Sequence, residues 1–240
     1  MSYKDKFYHH YVSTHTRRLY GQASLDAAKS NFVSWKNYFG GFLPENERAA
    51  ILDIGCGSGG LVYWLHEKGY DAAEGVDVSS EQVKEAERLG IHGIHQGDAL
   101  SFLRGKEGAY DVIFARDVLE HLTKDEVLDV AEAAHRSLKP RGAFIIQTVN
   151  AENWLWGRLR HGDFTHDLAF TRESITQVLS VAGFSDISVR PQKPVVHGLK
   201  SAIRYGLWLA FEAVLRAILY IETGAGDGIF TQNIIVRAEK

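Results

Sequence analysis

The stretch AAILDIGCGSGGLVYWL, at residues 49–65, constrains the fold of this chain more than any other. It begins with an apolar run in which Asp53 is the one charged residue, as in a strand that is buried on both faces. Four glycines follow closely, and glycine permits both sharp turns and the close approach of a ligand to the backbone. Apolar residues then recur at helical spacing. The stretch therefore predicts a strand, a ligand-binding loop and a helix.

Two kinds of ligand fit this loop. Gly55, Gly57 and Gly60 match the GxGxxG pattern of dinucleotide-binding proteins, so an NAD(P) oxidoreductase is one reading. However, Asp53 lies two residues before the first glycine. Its carboxylate would repel a pyrophosphate and attract a ligand that carries an ammonium group. The second reading, a cofactor with an amino group and no phosphate, is favoured.

The segment DIGCGSG resembles motif I of the class I S-adenosylmethionine (SAM)-dependent methyltransferases. This resemblance implies SAM as the cofactor and a class I methyltransferase fold. It assigns the cofactor loop to Asp53, Gly55, Cys56, Gly57 and Gly59. We interpret Cys56 within this loop as a small packing residue rather than a nucleophile.

Acidic residues follow the next two predicted strands. The strand at residues 72–78 contains Asp77 near its end, at the spacing at which an acid accepts hydrogen bonds from ribose hydroxyls, and Val78 follows it. The third strand, 91–96, is followed by Asp98 and Ala99. In the family that the chain resembles, these positions contact the adenine amino group and supply a backbone donor.

Strands and helices alternate through residues 49–149, which predicts a parallel sheet with helices on both faces. The fourth and fifth strands are predicted at 110–115 and 143–149, the sixth at 184–190, and an antiparallel last strand at 228–238. One domain over residues 1–240 is expected, an α/β Rossmann-like fold with a seven-stranded, mostly parallel sheet. DVLEHL and SLKPRGAFIIQT resemble the small-molecule branch of the family, such as ubiquinone-biosynthesis O-methyltransferases.

Candidate catalytic residues follow the fourth and fifth strands, because ligands bind at the carboxyl edge of such sheets. His166 and His121 are the candidate bases, although His121 could instead serve packing. Arg116 is expected near the cofactor. The acceptor-binding candidates are Asp117, Asn150, Arg160 and Asp167. Metal ligation by Asp117, Glu120 and the two histidines has no tight ligand spacing to support it, so no metal is predicted.

Three segments extend beyond this core. Residues 1–45 predict a helical region that forms either a lid or a packed arm, and residues 150–170 predict an insertion over the acceptor site. Residues 197–224 predict a long apolar helix with one narrow polar stripe. Such a helix is buried, pairs with a second copy of the chain or lies on a membrane surface. Its charges recur too often for a membrane span.

The net charge of −3 provides no overall attraction to nucleic acid. A single cysteine excludes an intrachain disulfide, and the first residues contain no apolar signal-peptide core. Both features predict a cytoplasmic protein.

The segments HGDFTHDLAFT and TQNIIVRA make the chain similar to methyltransferases of cell-surface polysaccharide pathways. We therefore expect O-methylation of a hydroxyl, that of a sugar in the first place. A phenolic or quinone-precursor hydroxyl is the second expectation. A SAM-binding regulatory protein without turnover is the alternative from another class.

Overall fold

Seven strands form one sheet in the computed structural model, which describes residues 3–16, 18 and 21–240. The strands are β1 (Ile51–Ile54), β2 (Glu74–Asp77), β3 (Ile94–Gln96), β4 (Tyr110–Arg116), β5 (Leu138–Val149), β6 (Ser185–Pro191) and β7 (Asn233–Glu239). Their order is β3-β2-β1-β4-β5-β7-β6, with β1 to β5 parallel and β7 antiparallel to both of its neighbours. The predicted fold class is confirmed.

Ten helices surround the sheet in the described part of the chain. They are α1 (Tyr3–His9), α2 (Leu25–Ser30), α3 (Phe32–Phe39), α4 (Gly60–His66), α5 (Ser80–Arg88), α6 (Ala99–Leu103), α7 (Lys124–Ser137), α8 (Trp156–Arg160), α9 (Arg172–Val181) and α10 (Leu199–Thr223). A π-helical turn at Val12–Thr16 and 3₁₀ turns at Gly40–Phe42 and Leu119–His121 complete the elements.

The core has two halves, one on each face of the sheet, because successive strand residues point to opposite faces. On β1, Leu52 and Ile54 pack in the half that α7 and α9 cover. Ile51 packs in the other half, against side chains from α3 and α4. All four β1 residues are buried, which explains the continuous apolar run that marks this strand in the sequence.

The N-terminal helical region and the fifth strand each contain an irregular part. Residues 24–39 form two helices, α2 and α3, and the side-chain amide of Asn31 between them donates to the carbonyl oxygen of Ala27, which competes with the helical hydrogen bonds. The fifth strand begins at Leu138 rather than at residue 143, and residues 139–142 are an irregular part of it. Arg141 adopts a positive φ of 65° there, and Gly142 accepts a hydrogen bond from the Lys240 amide.

The last strand begins later than predicted, at Asn233 rather than at residue 228. The segment before it is irregular because its carbonyl groups accept hydrogen bonds from two side chains. Asn150 donates to Ile229 and Thr231, and Asn153 donates to Phe230.

The N-terminal arm, residues 3–16, lies across the carboxyl edge of the sheet. Its backbone is held by Glu81 of α5, which accepts hydrogen bonds from the amides of Val12 and Ser13 at 2.9 and 3.3 Å. Residues 3–16, part of the segment predicted to form a lid or a packed arm, therefore lie over this edge, and which of the two they form stays a prediction. Residues 1, 2, 17, 19 and 20 of that segment lie outside the described residues.

Helix α10 is the predicted long apolar helix, and its apolar residues are largely exposed. Leu199, Leu207 and Ile221 are 79%, 68% and 83% exposed. Burial of this helix within its own chain, one of the three sequence interpretations, is therefore wrong for most of its surface. None of the described helices combines the length and hydropathy that a membrane span requires.

Candidate active site

A cavity of about 340 Å³ opens at the carboxyl ends of β1, β2 and β4, below the N-terminal arm. Parallel α/β sheets bind their ligands at this edge. Of the residues predicted for a site, those that line the cavity are Gly55, Gly57, Asp77, Val78, Asp98, Ala99, Asp117 and His121. The sequence pattern thus brings together residues that are up to 66 positions apart in the chain.

The glycine loop presents bare backbone to the cavity. Gly55 and Gly57 both have positive φ, at 66° and 57°. A Cβ atom on Gly55 would lie 2.4 Å from Cγ2 of Val118, so a side chain is excluded at that position by sterics as well as by backbone conformation. A ligand in the cavity can therefore lie directly against peptide groups.

Asp77 connects this loop to the helix that follows β2. One carboxylate oxygen accepts the amide of Gly57 and the other accepts the amide of Ser79, both at 2.8 Å. Burial raises the pKa of Asp77, and the two backbone hydrogen bonds counteract that rise. Each oxygen keeps a second lone pair that can accept a ligand hydroxyl. The hydroxyl of Ser79 does not cap α5 and instead donates to the carbonyl oxygen of Tyr8.

Asp98 has two roles at once. Its Oδ1 accepts the amide of Ser101 at 2.9 Å and caps α6, while the residue also lines the cavity beside Ala99 and Val78. Helix capping and ligand binding by this acid are compatible, because the carboxylate has acceptor positions left after the cap.

Asp53 does not itself line the cavity. It is fully buried behind the glycine loop, and neither carboxylate oxygen has a hydrogen-bond partner among the described residues. Burial raises its pKa to about 7, and the charge of Arg116 opposes that rise. Arg116 also lies outside the cavity lining. Its Nε has no partner among the described residues, and its guanidinium lies 5.1 Å from the centre of the Trp35 ring.

Cys56 and Gly59 also lie outside the cavity. The Cys56 side chain is buried in the core, and burial raises the pKa of its thiol well above the ordinary range. It fills the space beside Gly75, where a Cβ atom would lie 2.7 Å from the cysteine sulfur. Gly59 precedes α4 with a φ of 78° and packs against Ile91 and Ile94. Both residues therefore support the loop from its core side, away from the cavity.

A second group of polar residues adjoins the cavity, and the sequence reasoning found only part of it. Nδ1 of His121 lies 2.8 Å from Oγ1 of Thr165, and that hydroxyl donates to Oδ1 of Asp163 at 2.7 Å. Because the threonine proton points to the carboxylate, the histidine nitrogen is the donor in the first bond. Nε2 of His121 then carries no proton and can accept a hydrogen bond. Tyr11 of the N-terminal arm donates to the other oxygen of Asp163 at 2.7 Å.

His166, the first candidate base, lies one layer behind His121. Its ring centre is 4.5 Å from that of His121, and its Nδ1 lies 2.9 Å from the carbonyl oxygen of Leu159. Burial, followed by the neighbouring His166, lowers the pKa of His121 to about 4. His121 therefore remains uncharged at neutral pH.

Of the four metal ligands considered from the sequence, the two histidines are brought together in a cluster of ligand atoms that includes neither Asp117 nor Glu120. Glu120 is buried and accepts a hydrogen bond from Thr148, with its pKa raised well above the ordinary range by burial. Ligand atoms of His121, Asp163 and His166 all lie within 4.8 Å of one another. A histidine pair with one carboxylate is a donor set that a divalent metal could use.

Three of the four predicted acceptor-binding residues make contacts within the protein, and their role in acceptor binding stays a prediction. Asn150 is fully buried and uses its whole side-chain amide for the bonds to Ile229, Thr231 and the amide of Glu152. Arg160 donates to the carbonyl oxygen of Asp167. Asp167 holds the N-terminal arm through Lys4 at 2.8 Å and Tyr3 at 3.1 Å. Its pKa is lowered, chiefly by the hydrogen bond from Lys4.

Asp117, the fourth predicted acceptor-binding residue, lines the first cavity and is linked by hydrogen bonds to the wall of a larger one. It has a positive φ of 55°. Its two carboxylate oxygens accept hydrogen bonds from the side-chain amide of Gln147 at 2.8 and 3.0 Å. Gln147 in turn accepts a hydrogen bond from Gln192 at 3.0 Å. Gln192 lines a cavity of about 700 Å³ whose walls include Tyr38, Trp154, Leu155, Arg204, Leu207, Trp208, Phe211, Phe230, Gln232 and Asn233.

Comparisons with known proteins agree with this geometry. A protein-family profile described as "Methyltransferase domain" matches residues 28–189. The putative methyltransferase YqeM of Bacillus subtilis is 31% identical over 123 residues, which are 48% of this chain and 47% of that protein. A ubiquinone biosynthesis O-methyltransferase of Pectobacterium carotovorum is 27% identical over 114 residues, 44% of this chain and 45% of that protein. The chain thus spans about half the length of the curated relatives it matches.

Solved structures match over more of the chain. A SAM-dependent methyltransferase from Archaeoglobus fulgidus superposes over 100% of both chains with a TM-score of 0.66 and 19% identity. A phosphoethanolamine N-methyltransferase of Haemonchus contortus in complex with S-adenosyl-L-methionine covers 97% of this chain and 60% of that one, with a TM-score of 0.60 and 17% identity. At these identities the superpositions show a common fold.

The contacts of Asn150 yield the first prediction. Asn150→Ala removes three buried hydrogen bonds, so we expect the free energy of unfolding to fall by about 1–3 kcal/mol. Denaturant unfolding measures the change, and Asn37→Ala, on the exposed face of α3, is the matched control with no expected loss. Unchanged stability of Asn150→Ala would contradict the structural role.

Proposed function

This chain belongs to the family of SAM-dependent methyltransferase domains, and from that premise we propose that it transfers a methyl group to a hydroxyl oxygen, that of a sugar in the first place. The observation that carries the proposal is the uncharged His121, which lines the cofactor cavity and is oriented by Thr165 and Asp163. An alcohol acceptor requires a base for its proton, and this group supplies one.

The residues present fit the cofactor. Asp77 offers two carboxylate lone pairs to the ribose hydroxyls, and Asp98 with Ala99 lies where the adenine ring would bind. Next to the cavity wall, the carboxylate of Asp53 and Nε of Arg116 have no hydrogen-bond partner in the part of the chain that the structure describes. An α-amino acid group needs that combination, so we assign its ammonium to Asp53 and its carboxylate to Arg116.

When bound, SAM supplies a methyl group that its sulfonium has already activated for in-line displacement. The chain then has two tasks, to align the acceptor and to accept its proton. Asp117 and Gln147 lie between the two cavities and would position the acceptor hydroxyl. Nε2 of His121 would take the proton, while Asp163 stabilises the charged ring through Thr165.

We place His121 ahead of His166 as the base. His121 lines the cofactor cavity, and because its Nδ1 donates to Thr165, its Nε2 carries no proton and can take the one from the acceptor. His166 lies behind it and would act by keeping His121 uncharged, since its proximity lowers the pKa of that ring.

A sugar acceptor is supported by the lining of the larger cavity. Trp154, Trp208 and Phe230 offer aromatic faces on which a sugar ring can stack, and Gln192 and Asn233 offer hydrogen-bonding groups. Two buried polar atoms of this wall, Nε1 of Trp208 and Oδ1 of Asn233, have no hydrogen-bond partner among the described residues. One is a donor and the other an acceptor, and a hydroxyl can satisfy both.

A phenolic or quinone-precursor hydroxyl is the second candidate. The same aromatic wall could stack on a phenol, and one matched relative is named as a ubiquinone biosynthesis O-methyltransferase. The donor and acceptor on the cavity wall favour a ligand with several hydroxyl groups, which is why the sugar comes first.

The acceptor class can be tested with isotopically methyl-labelled SAM and a panel of nucleotide-linked sugars and catechols. We expect label in a sugar, and we expect Trp208→Phe, which keeps the ring and removes the donor, to raise KM for that sugar with little effect on SAM affinity. Tyr63→Phe, far from this cavity, is the matched control. Label in catechols alone would contradict the sugar. SAM binding without any transfer would support a regulatory protein.

If His121 is the base, substitutions of the two histidines should have different effects on kcat. Positioned bases contribute about 10²–10⁴-fold, so His121→Ala should lower kcat by that order while SAM affinity persists. A ring with a pKa of about 4 stays uncharged down to acid pH. The rate should therefore hold from pH 8 to 5.5 instead of falling near 6.5.

His166→Gln supplies the control for this profile. It removes the neighbour that lowers the pKa of His121, so the acid limb should move upward while kcat at pH 8 changes little. If both variants keep normal turnover at all pH values and chelators abolish wild-type activity, a metal held by His121, Asp163 and His166 is the better account.

A further inference from the structure

One side of α10 forms a wall of the larger cavity. The residues of this helix that line the cavity are Arg204, Leu207, Trp208, Phe211 and Leu215. They recur every three or four positions, so they lie on one side of the helix. Eleven residues of α-helix rise about 16 Å, so Arg204 and Leu215 lie at opposite ends of this wall. The cavity can therefore bind different chemical groups of one ligand at its two ends.

The end of the cavity at Leu215 is apolar. Phe230 lines it, and the guanidinium of Arg216, the residue after Leu215, lies 5.8 Å from the centre of the Phe230 ring. Asn153 donates to the carbonyl oxygen of Phe230, so the next residue, Trp154, lines the same end. Large apolar side chains at this end suit a hydrocarbon or an aromatic group of the ligand.

The end of the cavity at Arg204 is polar and cationic. The charge of Arg204 acts on the hydroxyl of Tyr38, where it opposes the rise in pKa that burial causes. That hydroxyl donates to the carbonyl oxygen of Lys193 at 2.6 Å, and the neighbouring Gln192 lines the cavity. The guanidinium of Arg190 donates to the backbone carbonyl oxygen of Tyr38. Two guanidinium groups therefore lie beside Tyr38 at this end.

No acidic side chain balances Arg204 within the cavity. Among the described residues that line it, Arg204 is the one charged residue. Behind the wall, Lys193 and Arg216 lie 2.9 and 2.7 Å from the carboxylate of Glu212, so two cations share one anion there. This wall is thus positively charged although the chain has a net charge of −3. A cleft lined by one sign of charge attracts a ligand of the opposite sign.

The cationic end is also the end that is linked to the cofactor cavity. Gln192 donates to Gln147 at 3.0 Å, and Gln147 donates to Asp117, which lines the cofactor cavity. The acceptor hydroxyl that Asp117 would position and an anionic group bound by Arg204 would therefore belong to the same part of the acceptor, a single sugar.

We propose that Arg204 determines acceptor specificity by binding a phosphate group on the sugar, and that the substituent beyond this phosphate lies along the apolar end of the cavity. The proposal rests on the proposed function, which places the sugar in this cavity. A guanidinium can bind two phosphate oxygens through parallel hydrogen bonds. A phosphate can also join the sugar to a nucleoside or to a lipid, and the side chains at the apolar end can contact either.

Calorimetry on the chain saturated with S-adenosylhomocysteine tests the phosphate. This product of SAM fills the cofactor cavity and prevents turnover. The probes are the 1-phosphates of glucose, galactose and mannose and the uncharged methyl glycosides of the same sugars. We expect one of the phosphates to bind about 10–100-fold more tightly than its methyl glycoside, because a hydrogen bond to a charged group contributes more than a neutral one. This preference should weaken as the salt concentration rises.

Variants of Arg204 assign the preference to its side chain. Arg204→Gln should remove the difference between the phosphate and the methyl glycoside. Arg204→Lys, which keeps the charge without the planar fork, should restore part of it. Arg141→Gln is the matched control, because Arg141 is 91% exposed near the start of β5, at the opposite edge of the sheet, and this variant should bind both probes like the wild type. Circular dichroism checks that each variant is folded.

Two larger probes distinguish the sources of the phosphate. They carry the preferred sugar linked through phosphate to uridine or to a decyl chain, and one of them should bind more tightly than the sugar 1-phosphate. Trp154→Leu removes the ring but keeps an apolar side chain, so it should weaken a nucleoside-linked sugar and spare a lipid-linked one. Equal affinity of all three phosphates would contradict the role of the apolar end.

The results separate this proposal from the proposed function. If the methyl glycosides bind as tightly as the phosphates, or if Arg204→Gln keeps the preference, the phosphate assignment is wrong and the sugar acceptor remains. If no sugar in the panel binds, with or without phosphate, the sugar acceptor itself is contradicted and this proposal falls with it.

Discussion

The site depends on the carboxylate of Asp53, which has no hydrogen-bond partner among the residues that the structure describes. It lies fully buried at the end of a central strand, and burial raises its pKa to about 7. A pKa unit corresponds to about 1.4 kcal/mol, so keeping this group ionised costs about 4 kcal/mol of folding free energy. That cost is absent below the unfolded pKa and grows as the pH rises to 7. A cationic ligand group offsets it, and the glycine loop, Asp77 and Arg116 are arranged around the place where such a group would bind.

The first half of the fold could be predicted because each of its elements has a strong local signal. β1 is buried on both faces, so its run is continuously apolar, and the glycines after it adopt positive φ. The sequence predicted the strand bounds wrongly where residues that are distant in the chain determine the local conformation. Residues 139–142 join β5 because Lys240 pairs with them, and residues 228–232 stay irregular because Asn150 and Asn153 bind their carbonyl groups.

The sequence predicted those residues of the site whose position follows from the ends of the strands. Asp77, Asp98, Asp117 and His121 each follow a parallel strand, so the topology alone brings them to one cavity. The orientation of His121 by Thr165 and Asp163 was not predictable, because those residues lie more than 40 positions away in an irregular segment. Asn150 also follows a strand, but its side chain turns to backbone carbonyls, a choice that spacing does not encode.

The most direct measurement is calorimetry of SAM binding in buffers of different ionisation enthalpy, between pH 6 and 7. If the ammonium group binds Asp53, binding must lower the pKa of that carboxyl, so the wild type should release protons and gain affinity as the pH rises. Asp53→Asn, which cannot ionise, should bind with no such release. Equal affinity at both pH values and no proton release by the wild type would contradict the account.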